Sequence, residues 1–150
     1  MQLARGRGAR VVAAVRERDA SEARRLGAEM VVDTGTGLEA AVRREWPDGA
    51  DACLDTAGLG ASALDCVRDG GAFVTSVTFD PRAVPDAARE ISRQSVALQP
   101  DADATAELAD RAANGELTLR VAETLPLERF RDAYTRLERG GLHGKIVLTF

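Results

Sequence analysis

The sequence predicts an α/β domain with a doubly wound parallel sheet. Three observations carry this. From Arg10 to Val77, short apolar runs alternate with helix-length amphipathic segments. The loops between them are short and contain glycine. The first run, RVVAAV at 10–15, is apolar throughout instead of alternating. Alternation with short loops argues for parallel strands joined by right-handed crossovers. A continuous β-branched run argues for a strand buried on both faces.

The elements follow in order. Residues 2–7 read as the end of a helix stopped at Gly6 or Gly8. The strand at 10–15 leads to a helix capped by Asp19 or Ser21, which reaches Leu26 and stops at Gly27. Residues 29–32 form a second strand. A helix over 37–46 ends at Pro47 and Gly49. Residues 50–56, ADACLDT, form the next strand, and a helix then runs through Val67. Gly70-Gly71 supply a turn into the strand at 72–77. After Pro81 the rhythm changes. SVALQP at 95–100 reads as a short strand, and 102–113 as a helix stopped by Asn114-Gly115. Residues 117–127 are extended. An amphipathic helix over 127–139 carries Phe130, Ala133, Tyr134 and Leu137 on one face, with Tyr134 expected in the core. The strand at 145–150 closes the chain.

The 150 residues are 45% hydrophobic and 29% charged, which is enough apolar content for a core and too much for a disordered chain. The net charge of −4, with no basic block, argues against nucleic acid as a partner. No apolar run reaches membrane length and no secretory leader is visible, so no membrane partner and a cytoplasmic location are expected. Cys53 and Cys66 sit in apolar surroundings without a close Cys/His cluster and read as buried small hydrophobes. No metal ligand set is expected. His143, the only histidine, falls in a GGLHGK turn and reads as an exposed loop residue.

In an open parallel sheet, ligands bind at the carboxyl ends of the strands, where a dinucleotide lies across the edge. The residues after one strand meet the adenine ribose. An acidic residue there accepts from a free 2′-hydroxyl, whereas arginine offers planar donors to a 2′-phosphate. Here the strand runs into Val15-Arg16-Glu17-Arg18. Two arginines around one glutamate favour NADPH, with NADH possible; the alternative is a set of solvated loop charges in which Glu17 pairs with one arginine. The ribose-reading position falls about 20 residues after the first glycine of the phosphate loop. Counting back from Arg16 lands before Met1. The first strand and its Gly-rich loop are therefore expected outside this sequence. Their loss would leave the strands at 10–15 and 50–56 facing a gap, to be closed by the strands themselves, left as weak stability, or filled by another chain.

The segments QLARGRGARVVAAV, EARRLGAEMVVDT, GADACLDTAGL, GGAFVTSV and LERFRDAYTRLERGGLHGKIVLTF, in this order over essentially the whole chain, resemble the C-terminal part of a medium-chain dehydrogenase/reductase. The resemblance is nearest to the zinc-independent, quinone oxidoreductase-like branch. It implies a Rossmann-like cofactor domain over 1–115, lacking its first strand and Gly-rich loop. It also implies a segment over 116–150 that joins the catalytic domain. The activity implied is hydride transfer from NADPH to a small-molecule quinone or enone, with no metal. By position, Arg16 and Arg18 match the site of the 2′-phosphate, and Thr34 a side chain near the adenine. Thr56, Ala57 and Gly58 match a loop along the cofactor, and Val77 and Thr78 the nicotinamide end. No catalytic residue is named. The chain alone is expected to be inactive, the alternative being a non-catalytic dinucleotide-fold module that dimerises or docks with a partner. A homodimer through an edge strand at Ser95, Val96, Ala97 and Leu98 is expected in either case.

Overall fold

The computed structural model describes residues 1–35, 37–77, 89–97 and 99–150. The chain divides into two compact units, Met1–Pro100 and Asp101–Phe150. The division expected at 115/116 concerns which part of the family each segment joins and stays an expectation.

The first unit opens with a short helix, α1 (Gln2–Gly6). Gly8 then takes φ +81, and the chain enters β1 (Val12–Val15). A 3-10 turn, Glu17–Asp19, leads into α2 (Ala20–Arg25). Asp19 occupies the capping position of α2, but its side chain makes no capping bond. Its carboxylate lies 3.7 Å from the Arg18 guanidinium instead, and Ser21 lies inside the helix. After Gly27, β2 (Met30–Asp33) pairs with β1 in parallel, from Val12↔Met30 to Val15↔Asp33. α3 (Leu38–Glu45) follows.

Side chains alternate on these two strands with the period of 2 that a pleated strand imposes. Ala13 packs with Ala23 and Ala28, and Val15 and Val31 join that cluster. Val12, Ala14, Met30 and Val32 pack on the other side with Leu38, Val42 and Cys66. Thus α2 covers one face and α3 the other, as a doubly wound fold requires. Only Ala13 of β1 is fully buried; its neighbours are half-buried, so the strand is less enclosed than its sequence suggests.

The remaining elements of this unit are β3 (Ala50–Asp55), α4 (Ala61–Leu64), β4 (Val67–Thr75) and β5 (Ser92–Ser95). They form a parallel sheet in the order β3-β4-β5. The helix expected to reach Val67 ends at Leu64. Val67 is 0% exposed and packs with Leu64, Phe73 and Ile91. Burial of that side chain starts the strand early. The pairing then jumps from Ala50↔Val67 to Ala52↔Ala72, so the expected Gly70-Gly71 turn is built into β4 as a bulge. A Cβ on Gly71 would lie 2.6 Å from Val67 Cγ1 and 2.8 Å from the Asp51 carbonyl oxygen.

The strand expected at 95–100 is displaced to Ser92–Ser95. Register with β4, from Ala72↔Ser92 to Thr75↔Ser95, and burial of Ile91 just ahead fix its position. The apolar Val96 and Ala97 follow it and are exposed, while Leu98 lies outside the described residues. β1 and β3 do not close on one another; they belong to separate sheets.

In the second unit, α5 (Ala102–Ala113) is capped by Asp101, whose carboxylate accepts from the Ala104 N–H at 2.9 Å. β6 (Val121–Pro126), a 3-10 turn Leu127–Arg129, α6 (Phe130–Glu138) and β7 (Lys145–Thr149) follow. β6 and β7 are parallel. Leu125 and Ala133 are buried, but Tyr134 is 66% exposed, contrary to its expected place in the core. A two-stranded sheet covers Ala133 and leaves Phe130, Tyr134 and Leu137 open. Among the described residues no helix is long and apolar enough to cross a membrane.

Candidate functional site

At the carboxyl end of β3 stands Asp55, 3% exposed and charged. Such a group persists in a core only when its oxygens are satisfied. Oδ1 accepts from the N–H groups of Ala57 at 3.0 Å and Gly58 at 2.8 Å, and Oδ2 accepts from the Gly60 N–H at 2.9 Å. Burial pushes the carboxyl up, but the backbone donors of Gly60, Ala57, Leu59 and Gly58 outweigh it and hold Asp55 below the ordinary carboxylate range. The loop after β3 is thus wrapped around a carboxylate. Gly58 takes φ +75, a conformation that suits glycine, and a Cβ there would lie 3.7 Å from Val77 Cγ2. Thr56, Ala57 and Gly58 are exposed on the outside of this loop.

The loop after β4 meets it. The Thr75 hydroxyl, on a fully buried residue, accepts from the Val77 N–H at 3.3 Å. The Ser76 N–H donates to the Asp55 carbonyl at 3.1 Å. Thr56, Ala57, Gly58 and Val77 therefore gather at one edge, as their positions in sequence suggested. Thr78 lies outside the described residues.

A second group forms at the carboxyl end of β1 and β2. Arg16, Glu17 and Arg18 are exposed. Arg18 shares the Asp19 carboxylate at 3.7 Å, whereas Arg16 has no ion pair among the described residues. No Glu17–arginine pair appears among the ion pairs of the described residues. The Glu17 backbone N–H donates to Asp33 Oδ2 at 3.2 Å, and Asp33 Oδ1 accepts from the Gly35 N–H at 2.6 Å. Thr34 is half-buried, and its N–H extends the ladder to the Val15 carbonyl at 3.3 Å. A cavity of about 530 Å³ opens between β2 and α3, with Asp33 at its wall; among the described residues, none of the loops after β3 and β4 lines it.

Sequence reading missed both organising carboxylates, Asp55 and Asp33. The signal was present: an aspartate ending an apolar run, followed by Thr-Ala-Gly or Thr-Gly, is the pattern of a side chain bonding N–H groups two or three residues on.

Among the described residues, no three His, Cys, Asp or Glu side chains converge on a point. Burial pushes both thiols up to about 11, away from the thiolate form a metal requires. His143 is exposed in its loop.

A family model described as zinc-binding dehydrogenase matches residues 26–148. A 90-residue stretch is 24% identical to the "Probable zinc-binding oxidoreductase, mitochondrial" of Arthroderma benhamiae, covering 59% of this chain and 27% of that protein. The fold superposes on an NAD-dependent alcohol dehydrogenase with a TM-score of 0.82 and 25% identity, covering 99% of this chain and 46% of that one. It superposes on the quinone oxidoreductase from Coxiella burnetii with a TM-score of 0.80 and 20% identity, covering 99% and 47%. The chain spans about a quarter of the curated relative and about half of each of these two structures.

Proposed function

The chain belongs to the zinc-binding dehydrogenase family, and from that premise we propose that it is the cofactor-holding part of an NADPH-dependent oxidoreductase of the quinone or enone reductase type. The observation that carries the choice of cofactor is Arg16: an exposed guanidinium with no ion pair among the described residues, placed just beyond the carboxyl end of β1. A planar fork of donors there suits a 2′-phosphate. Arg18, half-committed to Asp19 at 3.7 Å, adds charge. Thr34 would lie near the adenine. The outer surface of Thr56, Ala57 and Gly58, with Val77 beside Gly58, would receive the nicotinamide half, together with Thr78, the next residue in the sequence.

The bound nicotinamide would supply the hydride, and the protein's share is to bind and orient it. The family's name invokes zinc, but the described donors here do not fit it, and no step is drawn through a metal. Because the relatives are longer, the segment that meets the substrate is proposed to lie outside this chain, and turnover by the chain alone is not expected. We also propose a homodimer through the edge of β5, beginning at Ser95; among the described residues β5 is the outer strand of its sheet, and an open edge is a template for pairing.

Calorimetric titration with NADPH and NADH tests the cofactor assignment. Arg16→Ala should weaken NADPH by about tenfold or more, the value of a charge-assisted bond, and leave NADH unchanged. Equal effects on the two cofactors would remove Arg16 from the 2′-phosphate.

A further inference from the structure

The outer edge of β2 is open among the described residues. Met30 and Thr34 direct their N–H groups to the Val11 and Val15 carbonyls on the β1 side. By the alternation of a strand, the N–H and C=O groups of Val31 and Asp33 face the other way. No described strand pairs with β2 on that side. Outer strands ordinarily carry lysine, proline or a bulge that discourages pairing. β2 has none of these, and its register with β1 is unbroken. Beside this edge lies the cavity of about 530 Å³ between β2 and α3.

α3 supplies the cavity's other wall and its charge. Arg10 bonds Glu29 at 2.7 Å and reaches Glu45 at 3.5 Å, which fixes the carboxyl end of α3 beside the start of β2. Glu45 is thus engaged, while its neighbour Arg44 is exposed at the cavity wall with no ion pair among the described residues. Between Arg44 and Gly37 the helix offers only the small side chains of Ala40 and Ala41 to the cavity. We propose that this edge takes an extended segment of another polypeptide as an added strand, antiparallel to β2. An apolar side chain of the segment enters the cavity, and an acidic one, two residues nearer its carboxyl end, meets Arg44. Main-chain bonds to Val31 and Asp33 hold the segment, and its alternate side chains are read by the cavity and by Arg44. The antiparallel direction is the slightly more stable pairing. A second copy of this chain fits less well. Its β2 would bring Asp33 toward Arg44, but that carboxylate is already taken up by the Glu17 and Gly35 N–H groups. The proposal does not depend on which cofactor the chain holds.

The test is amide NMR of the chain with two blocked pentapeptides, threonine-leucine-threonine-glutamate-threonine and the same peptide with lysine in place of glutamate. The glutamate peptide should shift the signals of Val31, Asp33, Ala40 and Ala41. It should also slow solvent exchange at the Val31 amide, whose N–H gains a partner. The lysine peptide should bind about fivefold more weakly, the range of one exposed ion pair, and Arg44→Glu should reverse that order. A spectrum that does not respond to the glutamate peptide, or shifts without slowed exchange at Val31, would overturn the added strand. Equal affinity of the wild type for the two peptides would overturn the role of Arg44 without any appeal to the variant's folding. A Val31 amide that already exchanges slowly in the free chain, and faster on dilution, would give the edge to a second copy and overturn the proposal as well.

Discussion

Asp33, the last residue of β2, accepts at 3.2 Å from the backbone N–H of Glu17, the residue between Arg16 and Arg18. One carboxylate therefore shapes the turn that carries the two arginines, and places a negative charge beside it. The two effects oppose each other for a phosphorylated ligand. Asp33→Asn keeps an acceptor and removes the charge. Binding of adenosine 2′,5′-bisphosphate should strengthen by about twofold to fivefold, the range of one exposed charge interaction. Titration calorimetry measures it; weaker binding would show that order in the turn outweighs charge.

Asp55 predicts how stability responds to acid. Its carboxyl is held below the ordinary range by the Gly60, Ala57, Leu59 and Gly58 donors against the opposing effect of burial. A depressed native value means that the contribution is full above the unfolded value of about 3.9 and is lost as pH falls through the native one. Asp55→Asn should be less stable than the wild type at neutral pH by about 1–3 kcal/mol, with buried N–H groups left poorly matched. Its stability should also fall less steeply below about pH 4. Urea unfolding at a series of pH values checks this; parallel curves for the two proteins would rule out a depressed native value for Asp55.

The bulge in β4 makes its own prediction. A Cβ at Gly71 would meet Val67 Cγ1 at 2.6 Å and the Asp51 oxygen at 2.8 Å, and Val67 is fixed in the core. Gly71→Ala should cost about 1–3 kcal/mol through overpacking. Gly6→Ala, with nothing within 4 Å of the added carbon, is the control and should be near neutral. Thermal unfolding of both variants reads the difference.

The proposed dimer is tested on the edge of β5. The Val96 N–H is already used inside the sheet, on the Thr75 carbonyl at 2.8 Å. By the alternation of a strand, the Ser95 N–H faces the open edge. Ser95→Pro should therefore convert a dimer to a monomer in sedimentation without loss of fold, whereas Val96→Pro would break the sheet's own bond. An unchanged sedimentation coefficient for a folded Ser95→Pro would reject this interface.

Sequence and structure agree most closely where local chemistry decides. The helix at 102–113 is bounded by an Asp101 cap and Asn114-Gly115, and it appears at those residues. The strands β1 to β4 appear in order and parallel because apolar runs and glycine turns mark them. Agreement fails where distant contacts decide. β5 is placed by register with β4 and not by its own apolarity, so Ser92 to Ser95 form the strand while Val96 does not. Tyr134 shares an apolar stripe, but whether a stripe is buried depends on what lies opposite it. The candidate site was legible as a set of loop positions. Its organisers, Asp33 and Asp55, were not, because their role appears only once the loop has folded back onto the carboxylate.

The most direct measurement is a map of NADPH on the amide spectrum of the folded chain. Shifts confined to Arg16, Arg18, Thr34, Thr56 to Gly58 and Val77 are the predicted result. A spectrum that does not respond to saturating NADPH, or shifts gathered around the cavity of Ala40, Ala41 and Arg44 and absent from those loops, would contradict it.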